Sequence, residues 1–364
     1  MGSDKTLERI VSAQIHDWKR PNDSDIEVIF GREMVDVFDY VYDFFEGKKR
    51  SDCDNPSIRH MFDVARWTKR FIRKSCAKGD EIFKRYMRLS FLHDVVEDTC
   101  DTIDEIDERI RDIEKRFGRQ TADDVMLITN VYSMIINGIE NNGTKERLLQ
   151  GIEQYYSGLD EGLKGKYKHY FKGLWNIVQE TGENELIALK KKHPLFTFKD
   201  LISLKCYGQT YIRGMIDAAD DKFMEGKQDY GAAIVVKLAD GIDFVRTMSP
   251  TKDYSCSKGI IKAEIKINMF EEFSKFSNKP EKDSHILLIG GMVEYLKEQL
   301  VEQVRRRKES AVNLNDDSYE GIRGFFDEEH ERLKGMYPPP GRIRRAVIGL
   351  IKSIKNMSDA EYAP

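Results

Sequence analysis

Of the nine prolines in this chain, four (Pro338, Pro339, Pro340 and Pro364) lie in its last stretch, leaving five for everything before them. Proline removes a backbone donor and clashes with the preceding turn, so its rarity lets helices run unbroken. Apolar residues recur at helical spacing and strand-like alternation is rare, which predicts an all-α fold. Charged residues make up 34% and hydrophobic ones 40% of the 364 residues, proportions that suit a soluble, helix-rich globular protein. The 59 basic residues nearly balance 63 acidic ones, for a net charge of −4. That balance argues against binding nucleic acid through bulk charge and leaves only a local basic groove open.

No apolar run approaches the roughly 20 residues that span a bilayer, so no membrane partner is expected. The polar start MGSDKTLERI carries no signal-peptide character, and the expected location is the cytoplasm. Met1-Gly2…Thr6 fits the loose myristoylation pattern, but Met-Gly-Ser is also a common expression remnant. Cys53, Cys76, Cys100, Cys206 and Cys256 are odd in number, widely spaced and without a C-x-x-C pair. A disulfide framework or thiolate zinc site is therefore not expected, and Cys100 reads as a small packing residue.

The aromatic-rich stretch 35–45 closes at Gly47, and a second helix runs from about Asn55 through Ile72 with Pro56 in its first turn. A third helix is predicted from Phe83 to Glu97. Residues 101–118 close at Phe117-Gly118, and 121–136 read as one further helix. From 137 to 208 the chain is rich in Gly and Lys and reads as an inserted helical module. Its Tyr155, Tyr156, Tyr167, Tyr170, Phe171 and Trp175 are expected in the core of the extra helices rather than in an interface or lid. The most apolar run, Ala232 to Asp240, fits a buried strand or a buried helix, and its continuation through Ile242, Val245 and Met248 favours the helix. Helices over Lys258–Phe276 and His285–Lys308 follow, the second ending in four cations that suit a helix C-terminus. A short basic helix is expected after Pro338-Pro-Pro-Gly341. The expected organisation is a helical bundle over 25–275, interrupted by the 137–208 module, and a C-terminal helical extension over 276–364.

The segment Phe91-Leu-His-Asp-Val-Val-Glu-Asp-Thr99 carries the chemistry. On a helix, His93 would lie over Glu97, and Asp94 over Asp98. So many charges on an apolar helix need partners, and a metal ion is the simplest one; the plainer alternative is an acidic helix surface with a stray His. His60, on an upstream helix, and Asp240, closing the apolar run, change that balance. His60, His93, Asp94 and Asp240 form a set of two imidazoles and two carboxylates from three helices. Such mixed ligation suits a six-coordinate divalent ion, Mn²⁺ or Fe²⁺, with Zn²⁺ as an alternative.

Here the sequence resembles a known family. The pattern H…HD…D is similar to that of the HD-domain metal phosphohydrolases. Leu92-His-Asp-Val-Val-Glu-Asp-Thr99 and Val236-Lys-Leu-Ala-Asp240, followed by Arg246-Thr247, resemble the hydrolase domain of the RelA/SpoT group. The likeness extends to Pro56, four residues before His60, and to Phe117-Gly118 ahead of Ile128-Thr-Asn-Val-Tyr132, covering roughly residues 30–136 and 211–255. It implies a Mn²⁺ enzyme that removes the 3′-pyrophosphate of (p)ppGpp, with His60, His93, Asp94 and Asp240 as ligands. Glu97 and Asp98 match the pair that positions and activates the attacking water. Arg50, in a lead-in to Pro56 that is longer than the family's by about one residue, would stack on a base or hold phosphate, and Thr247 matches a nucleotide-contacting position. Phe244 stands where the family has Asn, exchanging hydrogen bonding for a stacking surface or a plug. The family's Arg-Lys-Ser-Gly-x-Pro lead-in becomes Lys49-Arg-Ser-Asp-Cys-Asp-Asn-Pro56. No synthetase domain is recognisable. A nucleotide is the expected partner, and a homo-oligomer is compatible with the sequence. The rival readings are an HD phosphohydrolase of another nucleotide or phosphodiester, favoured by Phe244 and the inserted module, and a nucleotide-binding regulator without turnover.

Overall fold

The computed structural model of the protein describes residues 20–50, 56–73, 80–139, 143–192, 196–225, 231–247, 253–276 and 284–312, with 331, 333 and 335. Among them every regular element is a helix, and the backbone pairs otherwise only in an isolated bridge between Lys49 and Pro56. The all-α expectation holds. The chain divides into two compact units, Met1–Lys237 and Leu238–Pro364.

The first unit is built on α1 (Asp23–Phe30), α2 (Glu33–Phe45), α3 (Ser57–Ile72) and α4 (Glu81–Leu92). Asn22 caps α1 by accepting from the Asp25 N–H at 2.8 Å, and Gly31, at φ +109°, ends it in a backbone region that glycine alone enters freely. Phe30, Phe38, Phe62 and Phe91 meet edge to face, with centroids 5.4 Å apart for Phe30–Phe62, 5.1 Å for Phe30–Phe91 and 5.6 Å for Phe38–Phe91. Each such pair adds about 0.5–1.5 kcal/mol beyond its buried area. The cluster holds α3 and α4 together, and these two helices deliver His60 and His93.

Thr102 and Glu105 form a reciprocal capping box at the start of α5 (Ile103–Phe117). The helix expected over 121–136 is two, α6 (Arg119–Ile128) and α7 (Val131–Gly138). The cause lies in two polar side chains at the join. The Thr129 hydroxyl donates to the Val125 carbonyl at 2.8 Å, and Asn130 caps α7 by accepting from the Ser133 N–H at 3.2 Å. Side chains of this type offer the backbone an alternative to continued helix.

The stretch expected as an inserted module contains α8 (Lys145–Gly158), α9 (Glu161–Glu180), α10 (Glu183–Lys192) and α11 (Phe198–Cys206). Tyr167 and Phe171 are buried, and the Tyr155 and Tyr156 rings lie 5.7 and 5.1 Å from Phe171. Tyr155 also accepts from the Ile103 N–H at 3.2 Å, tying the module to the start of α5. Tyr167 and Phe171 are core, as expected, while Tyr155, Tyr156, Tyr170 and Trp175 are half-buried. A π turn, Tyr207–Ile212, joins α11 to α12 (Arg213–Met224).

The apolar run is the helix α13 (Ala232–Thr247), which passes through the boundary between the units. In the second unit α14 (Asp253–Phe276) packs against α15 (Ser284–Val312). Lys297, buried, bridges Glu271 at 2.5 Å and Glu294 at 2.9 Å. The cations from Arg305 on were expected to close their helix, but α15 continues to Val312. Arg305 and Arg306 instead pair with Glu302, each at 2.8 Å. The basic helix expected after Pro338 lies outside the described residues.

Candidate metal centre

The helix α4 ends at Leu92, five residues short of the expected Glu97, with His93 as its C-cap. Beyond it the chain winds through tight turns, with Val95 N–H on the Leu92 carbonyl at 3.1 Å and Asp98 N–H on the Asp94 carbonyl at 2.8 Å. The Thr99 hydroxyl donates to the Val95 carbonyl and competes for the group that a longer helix would use. Val95 and Val96 are both fully buried and pin these turns to the core.

His93 is fully buried, and its Nδ1 lies 2.8 Å from the Ser90 carbonyl oxygen. A carbonyl only accepts, so Nδ1 carries a proton and Nε2 is the nitrogen turned to the site: protonated it donates to Asp94, and deprotonated it offers the lone pair with which imidazole binds a metal. His60, buried on α3, places its Nε2 3.2 Å from His93 Nε2. Asp94 Oδ2 lies 3.4 Å from His60 Nε2 and 3.1 Å from His93 Nε2. Three donors about 2.1 Å from a single ion stand roughly 3.0–3.4 Å from one another, in octahedral or tetrahedral geometry. The triangle is already that size. His60, His93 and Asp94 therefore fit a divalent cation in number, chemistry and spacing.

The other Asp94 oxygen, Oδ1, lies 3.7 Å from Nζ of Lys237, a buried lysine on α13. Burial alone would raise the Asp94 carboxyl. The charge of His93, hydrogen bonds from His60 and His93, and the Lys237 ammonium overcome it and hold the group well below the usual carboxylate range. Lys237 was not among the residues singled out from sequence. It is a lone cation inside the most apolar run of the chain, and the reasoning that drew attention to Asp240 applied to it equally.

Glu97 Oε2 accepts from the Asn130 N–H at 3.4 Å, so the break between α6 and α7 orients a carboxylate of the site. Burial against its neighbours, with the adjacent Asp94 and Glu97 carboxylates, pushes Asp98 up to about 7, and His60 and Arg50 work in the opposite sense. Asp98 keeps exposed surface, so the two neighbouring carboxylates are the more durable cause of that rise. Arg50 is half-buried and near enough to act on Asp98 through its charge.

The remaining residues singled out from sequence belong to the second unit. Asp240 stands three residues after Lys237 on α13 and is ion-paired to the buried Lys266 at 3.0 Å. The Phe244 ring lies over Gly259 of α14 so closely that a Cβ at Gly259 would fall 1.9 Å from the ring's Cζ. The Thr247 hydroxyl donates to the Asp243 carbonyl at 2.9 Å. Phe244 thus serves packing, and Thr247 closes the end of its own helix. No protein-family model matches the chain, and no curated protein or solved structure does. Among the described residues, no helix is long and apolar enough to cross a membrane.

Proposed function

We propose that this chain is an HD-type, metal-dependent phosphohydrolase acting on a nucleotide in the cytoplasm, with the 3′-pyrophosphate of a (p)ppGpp-like alarmone as its leading substrate. The observation that carries the reading is the triangle of His60, His93 and Asp94, whose donor atoms stand 3.1–3.4 Å apart. Asp240 is proposed as the fourth ligand. The resemblance gives Asp240 that role, completing a set of two imidazoles and two carboxylates. Two imidazoles with carboxylates suit Mn²⁺, with Fe²⁺ and Zn²⁺ as alternatives. Such an ion, when bound, lowers the pKa of water and screens charge on phosphoryl oxygens.

The remaining roles belong to the chain's own groups. Asp98, poised near 7, and Glu97, fixed by the Asn130 N–H, are placed to accept the proton of the attacking water. Arg50 supplies a guanidinium for a phosphate or base. His93, with its Nδ1 proton on the Ser90 carbonyl, turns Nε2 to the site as the ligand nitrogen.

The test is metal analysis of the purified protein together with ppGpp hydrolysis in added Mn²⁺. Asp94→Ala is expected to abolish both metal binding and turnover while the fold survives; retained activity in that variant sinks the proposal. A second reading, hydrolysis of another nucleotide or phosphodiester, is favoured by Phe244, which packs on Gly259 where the family carries a hydrogen-bonding Asn. A panel of nucleotides scored for phosphate, pyrophosphate and nucleoside separates the two. Tight nucleotide binding without any product would mark a regulator instead.

A further inference from the structure

The π turn Tyr207–Ile212 interrupts the helical path between α11 and α12. Such turns are rare, and they occur mostly where function demands a particular side-chain placement. This one carries Tyr211, which is buried and donates its hydroxyl proton to the carbonyl of Ile128, the last residue of α6. Two residues further on, the Asn130 N–H donates to Glu97 Oε2 at 3.4 Å. On its other side the Tyr211 ring faces the Lys237 ammonium, whose Nζ lies 5.9 Å from the ring centroid. A carbonyl only accepts, so the phenol proton is committed to Ile128. That same ammonium faces Asp94 Oδ1 at 3.7 Å.

A single phenol therefore touches both supports of the site. Asp94 and Glu97 are three residues apart on one set of turns, yet they are steadied from different elements. Lys237 on α13 steadies Asp94, and the turn between α6 and α7 steadies Glu97. Tyr211 meets each support, its hydroxyl at Ile128 and its ring at Lys237. We propose that Tyr211 is a positioning residue that fixes Lys237 against Asp94 and the 128–130 turn against Glu97, setting the spacing between the ligand carboxylate and the water-activating carboxylate. The proposal rests on the metal-hydrolase reading and adds to it a residue from an element that supplies no ligand. Groups that orient metal ligands typically change affinity or activity by about 10–100-fold when removed.

The experiment uses full-length protein stripped with chelator and titrated with Co²⁺, followed by calorimetry and by the visible spectrum of the bound ion. Thermal melts run alongside. Tyr211→Phe keeps the ring and deletes the hydroxyl. It is expected to lower Co²⁺ affinity about 10–100-fold and alter the spectrum, while the melting temperature falls by only a few degrees. Tyr167→Phe, at a second buried tyrosine far along the sequence in α9, is the control and is expected to leave affinity and spectrum unchanged. Wild-type affinity and spectrum in Tyr211→Phe overturn the proposal, as does an equal loss in Tyr167→Phe. Should Tyr211→Phe fail to fold, Lys237→Arg keeps the charge but displaces it from the phenol, and it must show the same loss for the proposal to stand. A wild type that binds no Co²⁺ overturns the metal reading itself, and that result is seen before any substitution is made.

Discussion

Asp94 and Asp124 both belong to the first unit and both sit away from bulk water, but their surroundings differ in kind. Asp124, on α6, is buried and receives the Arg85 fork, Nε at 2.5 Å and an Nη at 2.6 Å, with Lys222 at 3.1 Å. Those partners are permanent cations, so the carboxylate is matched whatever else is present, and it ties α4, α6 and α12 together. Asp94 turns one oxygen to two imidazole nitrogens and the other to a lysine at 3.7 Å. Imidazole can present a lone pair instead of a proton, so that arrangement can accept a cation in a way the guanidinium arrangement cannot. A buried carboxylate does not by itself mark a site. The chemistry of its partners does.

The sharpest way to break this contrast is to neutralise each carboxylate in turn. Asp94→Asn is expected to lower Mn²⁺ affinity more than about 100-fold and to remove hydrolysis, while chelator-treated protein melts within a few degrees of wild type. Asp124→Asn is expected to do the reverse. Leaving Arg85 and Lys222 opposite an amide costs about 3–5 kcal/mol in urea unfolding and leaves metal affinity unchanged. The same pattern in both variants would erase the distinction between a structural and a functional carboxylate.

Smaller effects sharpen the division of labour. Gly259→Ala forces a methyl into the Phe244 ring and is expected to cost about 1–3 kcal/mol. Adding Phe244→Ala should restore part of that loss in a double-mutant cycle, with metal binding untouched throughout. Thr102→Ala removes one half of the α5 capping box and is expected to cost about 1 kcal/mol by denaturant titration.

The last effect is a pH dependence with a definite sign. The folded-state value of Asp94 lies below its unfolded value, so its contribution to stability is fully present above the unfolded value of about 3.9 and fades as pH falls toward the folded one. The stability gap between metal-free wild type and Asp94→Asn should shrink on acidification through that window. A gap that stays constant or widens would show that the ion pairs around Asp94 do not form.

How much of this could be read beforehand depended on whether the cause was local. His93-Asp94 and His60 stood out as parts of an H…HD…D pattern, and that pattern is written in the residues themselves. The end of α4 at Leu92 was not legible, because Val95 and Val96 prolong the helical apolar pattern while the backbone already turns. The break at Thr129–Asn130 carries neither Gly nor Pro, and its signal was only the capping preference of two polar side chains. A π turn leaves no periodic trace that a short apolar pattern reveals, so the delivery of Tyr211 to Ile128 was invisible. Lys237 was legible in principle, as a lone cation in an apolar run.

The order of residues alone decided that this chain is helical, because scarce proline and helical spacing of apolar side chains act over a few residues at a time. It also decided which His93 nitrogen faces the site, since the Ser90 carbonyl that accepts the Nδ1 proton lies only three residues earlier. Which groups face Asp94 was settled by tertiary packing. His60 lies 33 residues before His93, and Lys237 lies far along the chain on another helix. Distances of a few ångströms between such groups depend on how whole helices pack, and no pattern of neighbours along the chain encodes them.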